Sequence, residues 1–150
     1  MSGTGHPGIG RRFPPASGKV EQAAISAFAR AIGETNPIYF ETTAARAAGF
    51  RAIPAPPTFI FCIKYQAATP VAVLEALGIN GQAGDLLHAE QNFEYFKPVC
   101  AGDTLTFSEH VADIYEKKGG ALLFIVLETS VTNQSGELVA KISHTEVKRS

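Results

Sequence analysis

The chain has 150 residues, of which 45% are hydrophobic and 18% charged, the composition of an ordinary folded domain rather than a disordered segment. A formal charge of -1 supplies no basic field for a phosphate backbone, which argues against nucleic-acid binding. No apolar run reaches the roughly 20 residues of a membrane span, and the Gly-rich start lacks an apolar signal-peptide core, so a soluble cytoplasmic protein is expected.

The first half reads as helical. Val20, Ala23, Ala24, Ala27, Phe28, Ala31 and Ile32 recur at helical spacing, and Gly33 suits the left-handed residue that ends a helix. Residues 1–12 before this are expected to form a flexible tail. From Glu34 to Phe40 the pattern is irregular, with Asn36-Pro37 as a turn signal. A short helix is predicted over 42–48, ending at Gly49, and the Pro54-Ala55-Pro56-Pro57 stretch can start another helix. The run 58–68 carries Phe59, Ile60, Phe61, Cys62 and Ile63 side by side, which predicts a helix enclosed on every side. A smaller helical piece over 71–77 closes at Gly78.

After Gly84 the pattern changes to strands over 87–96, 104–115, 121–132 and 137–148, rich in Val, Ile, Leu, Phe and Thr. Leu123, Ile125, Leu127 and Val131 share one face by alternation. Lys118-Gly119-Gly120 and Asn133-Gln134-Ser135-Gly136 have hairpin-turn composition. Long strands joined by tight turns imply an antiparallel sheet, and its apolar face needs a cover. The 58–68 helix is the candidate, giving an α+β domain in which a curved sheet wraps one central helix. Cys62 and Cys100 have no metal-ligand spacing around them and are expected to stay free in a reducing compartment.

Several stretches resemble the R-specific enoyl-CoA hydratases and MaoC-like dehydratases, proteins of the hotdog fold. Their motif Gly-Asp-x-Asn-Pro-x-His corresponds to Gly33-Glu34-Thr35-Asn36-Pro37-Ile38-Tyr39, followed by Phe40 and by Ala44-Ala45-Arg46-Ala47-Ala48-Gly49-Phe50. Phe93-Glu94-Tyr95-Phe96-Lys97-Pro98-Val99 and Ala101-Gly102-Asp103-Thr104-Leu105 resemble the family's second-half hairpin, so the likeness runs from about Phe13 to Val147. It is similar in particular to the subgroup termed the MaoC-like dehydratase N-terminal domain, which includes non-catalytic partners in mycobacterial mycolic-acid dehydratases.

The resemblance implies a hydratase/dehydratase system for 2-enoyl or 3-hydroxyacyl thioesters of coenzyme A or a carrier protein. It implies no cofactor beyond the substrate thioester, and a dimer, homo or hetero, with a second hotdog subunit. The motif's Asp and His, which hold the reacting water, are Glu34 and Tyr39 here. One added methylene displaces a positioned water by about an ångström, and a phenol with a pKa of about 10 is a poor base at neutral pH. Tyr39 either keeps an acid role or simply packs its ring. The family's Ala-His-Gly at the central helix start corresponds to Ala55-Pro56-Pro57, so the thioester-oxygen donor would fall to Thr58 or Phe59, since proline has no N–H. His88 and Gln91 are candidate substrate contacts on the first long strand, and Asn36 fixes the turn or touches substrate. Lys64 is expected to reach the surface or a coenzyme A phosphate. His110 and His144 lack ligand-spaced acids or thiols, so no metal is expected. These departures favour a substrate-holding subunit whose partner supplies Asp and His, over a homodimer in which Glu34 and Tyr39 act. A hotdog thioesterase and a non-enzymatic acyl-binding module are the alternatives. The thioesterase is disfavoured because 58–68 holds no Asp or Glu.

Overall fold

A computed structural model describes residues 5–68 and 70–149, and the side chains of all of these except Pro70, Val71 and Ala83. Five strands, β1 (Ala16–Lys19), β2 (Leu86–Tyr95), β3 (Thr104–Lys117), β4 (Leu122–Thr132) and β5 (Leu138–Arg149), form one antiparallel sheet in the order β1-β3-β4-β5-β2. Four helices, α1 (Gln22–Ala31), α2 (Thr42–Ala47), α3 (Phe59–Ala67) and α4 (Pro70–Ala76), precede the long strands, with short 3-10 turns at Pro37–Tyr39 and Ala83–Asp85. The four long strands and four helices match the expected elements to within a few residues.

Local chemistry explains the element ends. Gly33, Gly49 and Gly78 follow α1, α2 and α4 with φ of 76°, 93° and 65°, conformations that side chains with a Cβ resist. The β4–β5 turn is built by Asn133, whose Oδ1 accepts the N–H groups of Ser135 and Glu137 at 3.0 and 3.1 Å.

The sheet packs its apolar face on α3. Phe59, Ile60 and Ile63 join Leu105, Phe107, Val131, Val139, Ala140 and Ile142 in one buried cluster. Toward the β3–β4 end, Val73 and Leu74 of α4 cover Val111, Ile114, Ile125 and Leu127 in a second cluster. This is the hotdog arrangement of a sheet wrapped round a helix. The close approach of α3 to β1 depends on Gly18, where an added Cβ would stand 2.5 Å from Ile63 Cγ2.

Three expectations change. Strand β1 was not predicted, because Ala16-Ser17-Gly18-Lys19 has no apolar alternation and becomes a strand only by pairing with residues 104–107 of β3. The N-terminal tail is shorter than twelve residues, since Gly10, Arg11 and Phe13 exchange backbone hydrogen bonds with Val111 and Glu109 of β3. Helix α3 is not enclosed all round, for Phe61 and Cys62 are only partly buried and face a cleft. Among the described residues no helix is long and apolar enough to cross a membrane.

Candidate functional site

The motif loop is a tightly bonded turn. Glu34 Oε1 accepts the N–H groups of Thr35 and Asn36 at 2.8 and 2.9 Å. Asn36 Oδ1 in turn accepts the Ile38 N–H at 3.2 Å, capping the 3-10 turn that carries Tyr39. Tyr39 is half-buried, and burial, followed by the negative charge of Glu34, raises its pKa above the usual phenol value. The ring therefore keeps its proton at neutral pH. It lines a first cleft of about 400 Å³ with Phe50, Ala55, Pro57 and Tyr95 among its walls. The Tyr95 hydroxyl, whose pKa burial raises, donates to the Pro57 carbonyl and ties β2 to the segment leading into α3.

A second cleft of about 500 Å³ opens on the other side of the Pro57–Thr58 junction, along α3. Phe28, Thr58, Phe61, Cys62, Tyr65, His88, Gln91 and Phe93 line it. His88 and Gln91 lie three apart and would face opposite ways on a regular strand. A register shift between His88 and Glu90 inserts Ala89 as an extra residue, and this bulge brings His88 to the same face as Gln91 and Phe93.

A buried polar layer backs this cleft. Glu146 is 3% exposed and accepts the Tyr65 hydroxyl at 2.9 Å, while His88 Nδ1 stands 3.5 Å from the same oxygen. Burial, then the charge of Glu146, raises the Tyr65 pKa, so its proton stays in place. His144, the cross-strand neighbour of Gln91, stacks on His88 at 5.8 Å between ring centroids and 7° between planes. Burial, aided by the positive charge of Lys64 and by His88, lowers the His144 pKa to about 3, so it is neutral.

The structure thus brings Thr58, His88 and Gln91 together and sets Tyr39 in the neighbouring cleft, with Glu34 and Asn36 in the loop before it. Phe59 belongs to the core: its ring packs on Phe28 at 5.3 Å, and its N–H is engaged by the Pro56 carbonyl at 2.9 Å. The expected substrate contact there gives way to a packing role. Lys64 is likewise corrected. It is 5% exposed and forms an ion pair with Glu109 at 2.5 Å, with Thr129 Oγ1 donating to the same carboxylate at 2.8 Å. Its lone charge in an apolar run has a partner on β3 rather than in solvent. The Ala101–Leu105 motif is a structural staple, because Asp103 accepts from Arg51, Cys100 N and Gln134 Nε2. Burial pushes the Asp103 carboxyl up, yet Arg51 and these N–H donors outweigh it and hold the group below the usual range.

Tyr65, Glu146 and His144 were not singled out from the sequence as site residues. Glu146 carried a usable signal, as the one acid of β5, two residues after His144.

A hotdog sheet, a central helix entered through a Gly-Glu-Thr-Asn-Pro loop and two flanking clefts define a protein of the hydratase/dehydratase type of hotdog fold. The chain belongs to the FAS1-like family, dehydratase domain region, whose pattern matches residues 8–142. A UPF0336 protein of Streptomyces griseus is 37% identical over 132 residues, covering 87% of this chain and 85% of that one. In the crystal structure of the C-terminally truncated HadBC (3R-hydroxyacyl-ACP dehydratase) complex of Mycobacterium tuberculosis, one chain is 26% identical, with a TM-score of 0.78, and the match covers 93% of this chain and 96% of that one. The MaoC-like dehydratase of Rhodospirillum rubrum shares the fold at 24% identity and a TM-score of 0.70, covering 94% and 92% of the two chains.

Proposed function

We propose that this chain is the acyl-thioester-holding subunit of a hydratase/dehydratase for 2-enoyl or 3-hydroxyacyl thioesters of coenzyme A or a carrier protein. A second hotdog subunit with an intact Gly-Asp-x-Asn-Pro-x-His motif supplies the acid–base pair. One observation carries the reading: the Glu34 carboxylate, at the motif's Asp position, accepts two backbone N–H groups of its own loop. These two bonds pin Glu34 Oε1 to its own turn, and Glu34 is not among the residues that line either cleft, so its carboxylate serves the loop rather than a water beside the acyl chain. Tyr39, at the His position, keeps its proton at neutral pH and cannot serve as the base. That the similar HadBC chain belongs to a dehydratase complex supports a two-subunit assembly.

In this reading the acyl chain lies in the cleft beside α3, against Phe61 and Phe93, with the thioester at the helix start. Pro56 and Pro57 offer no N–H, so the Thr58 amide, at the positive end of the helix dipole, holds the thioester oxygen. Water and proton are handled by the partner.

Loss of enoyl absorbance from crotonyl-CoA tests this. The chain alone is expected to give the buffer rate, and adding an intact-motif partner to give turnover. Turnover by the chain alone that falls in Glu34→Ala would overturn the holding role in favour of a self-sufficient homodimer.

A further inference from the structure

The cleft beside α3 has two distinguishable ends. Thr58, Phe61, Cys62 and Tyr65 line it from the helix side at i, i+3, i+4 and i+7, the spacing of one helical face. Strand β2 runs alongside in the opposite sense. Its Tyr95 hydroxyl meets the Pro57 carbonyl just before α3, while His88 stands edge-on to Phe61 at 5.3 Å between ring centroids. The thioester end is therefore at Thr58 and Phe93, and the far end at Tyr65 and His88. Among the described residues, no α3 residue beyond Tyr65 borders the cleft.

The far end is closed by rings. Phe61 packs on Tyr65 at 4.2 Å, Tyr65 on His144 at 6.4 Å and His144 on His88 at 5.8 Å, and His88 returns to Phe61. This closed circuit joins α3, β5 and β2. Glu146 bolts it from behind: one carboxylate oxygen lies 2.9 Å from the Tyr65 hydroxyl, 3.5 Å from His88 Nδ1 and 3.8 Å from His144 Nε2. On its other side the Tyr65 ring has the Lys64 ammonium 5.4 Å from its centroid, and Lys64 is itself held by Glu109. Swinging Tyr65 aside would strip a buried carboxylate of its phenol donor and open the ring circuit, so this side chain is fixed in place.

From Thr58 to Tyr65 is two helical turns, about 10 Å at the rise of an α-helix. An extended chain covers about 1.2 Å per bond, a third of its span per residue. We infer that the ring circuit is a stop, with Tyr65 the specificity-determining residue, and that the cleft takes short and medium acyl groups of up to about eight carbons. Methylenes beyond that length must displace Tyr65 or turn out into water, and neither adds affinity. This rests on the reading of the cleft as the acyl site, and it adds a limit on chain length that the reading does not require.

The test is calorimetric titration of the full chain, alone and with its partner subunit, using butyryl-, hexanoyl-, octanoyl- and dodecanoyl-CoA. Affinity is expected to rise roughly 10-fold for each two carbons up to octanoyl-CoA, the increment of burying two methylenes. Dodecanoyl-CoA is expected to bind within about threefold of octanoyl-CoA, because its extra methylenes stay unburied. In Tyr65→Ala the stop is gone, and dodecanoyl-CoA should become at least roughly 10-fold tighter than octanoyl-CoA. A gain that continues undiminished into dodecanoyl-CoA in the wild type overturns the proposal, as does a limit that stays at octanoyl-CoA in a folded Tyr65→Ala. The wild-type series stands by itself should the variant fold poorly. Equal affinity for all four ligands, or binding of none, would instead sink the reading of the cleft as the acyl site, so the two failures are told apart by the steps from butyryl- to octanoyl-CoA.

Discussion

His144 is a titratable side chain placed where its charged form is strongly disfavoured. Burial, then Lys64 and His88, lower its pKa to about 3 in the folded chain, against about 6.5 when exposed. Below about pH 6.5 the unfolded chain binds a proton that the folded chain refuses, so stability is full above that pH and falls as the pH drops toward 3. Between pH 7 and pH 5 this one group is expected to remove about 2 kcal/mol, at 1.36 kcal/mol per pH unit below 6.5. Urea unfolding at the two pH values measures it, with His144→Leu as reference. The variant starts less stable, but its stability should depend less on pH by that amount. Identical pH dependence in both proteins would show that His144 is not the group responsible. The same residue scale explains what sequence reading missed. Tyr65 and Glu146 are 81 positions apart, and Lys64 finds Glu109 on another strand, so no local pattern links either pair.

Helix α3 was legible because a run of apolar residues between Pro57 and Ala68 leaves few other places for it. Its contact with β1 was not, because that contact is made through a residue without a side chain. Gly18→Ala would push a methyl to within 2.5 Å of Ile63 Cγ2, and overpacking of this kind costs about 1–3 kcal/mol. In an Ile63→Ala background the clashing carbon is gone, so the same glycine substitution should cost much less. Denaturation of the four proteins of this cycle checks it, and an equal cost in both backgrounds would show that the glycine matters for another reason. The strands divide in the same way. β3, β4 and β5 were readable from β-branched residues and intervening turns, each joined to its neighbour by a short connection. β1 was not, since its identity comes wholly from a partner about ninety positions away. The motif loop was located by its resemblance, whereas the use of Glu34 to hold that loop needed the geometry.

At the scale of the whole molecule the sheet ends unevenly. One edge is the short β1, flanked by the N-terminal segment, and the other is the ten-residue β2, with Leu87, Tyr95 and Phe96 among the exposed large apolar side chains. A long edge of this kind invites pairing with another strand. The chain is therefore expected to sediment and scatter light as a dimer at micromolar concentration, either with itself or with its partner subunit. A monomer in both preparations would remove the basis for a site shared between subunits.

The bulge at Ala89 has a consequence for how such a cleft changes over time. The strand stores one spare residue, and where it is stored decides which side chains the cleft meets. Moved two places toward the N-terminus, to Leu87, the same spare residue would turn Ala89 inward and His88 outward. Every residue from Glu90 onward would keep its facing, and the chain would keep its length. The recognition chemistry of one wall can thus be rewritten by a shift of register alone, without a substitution at any residue that lines it.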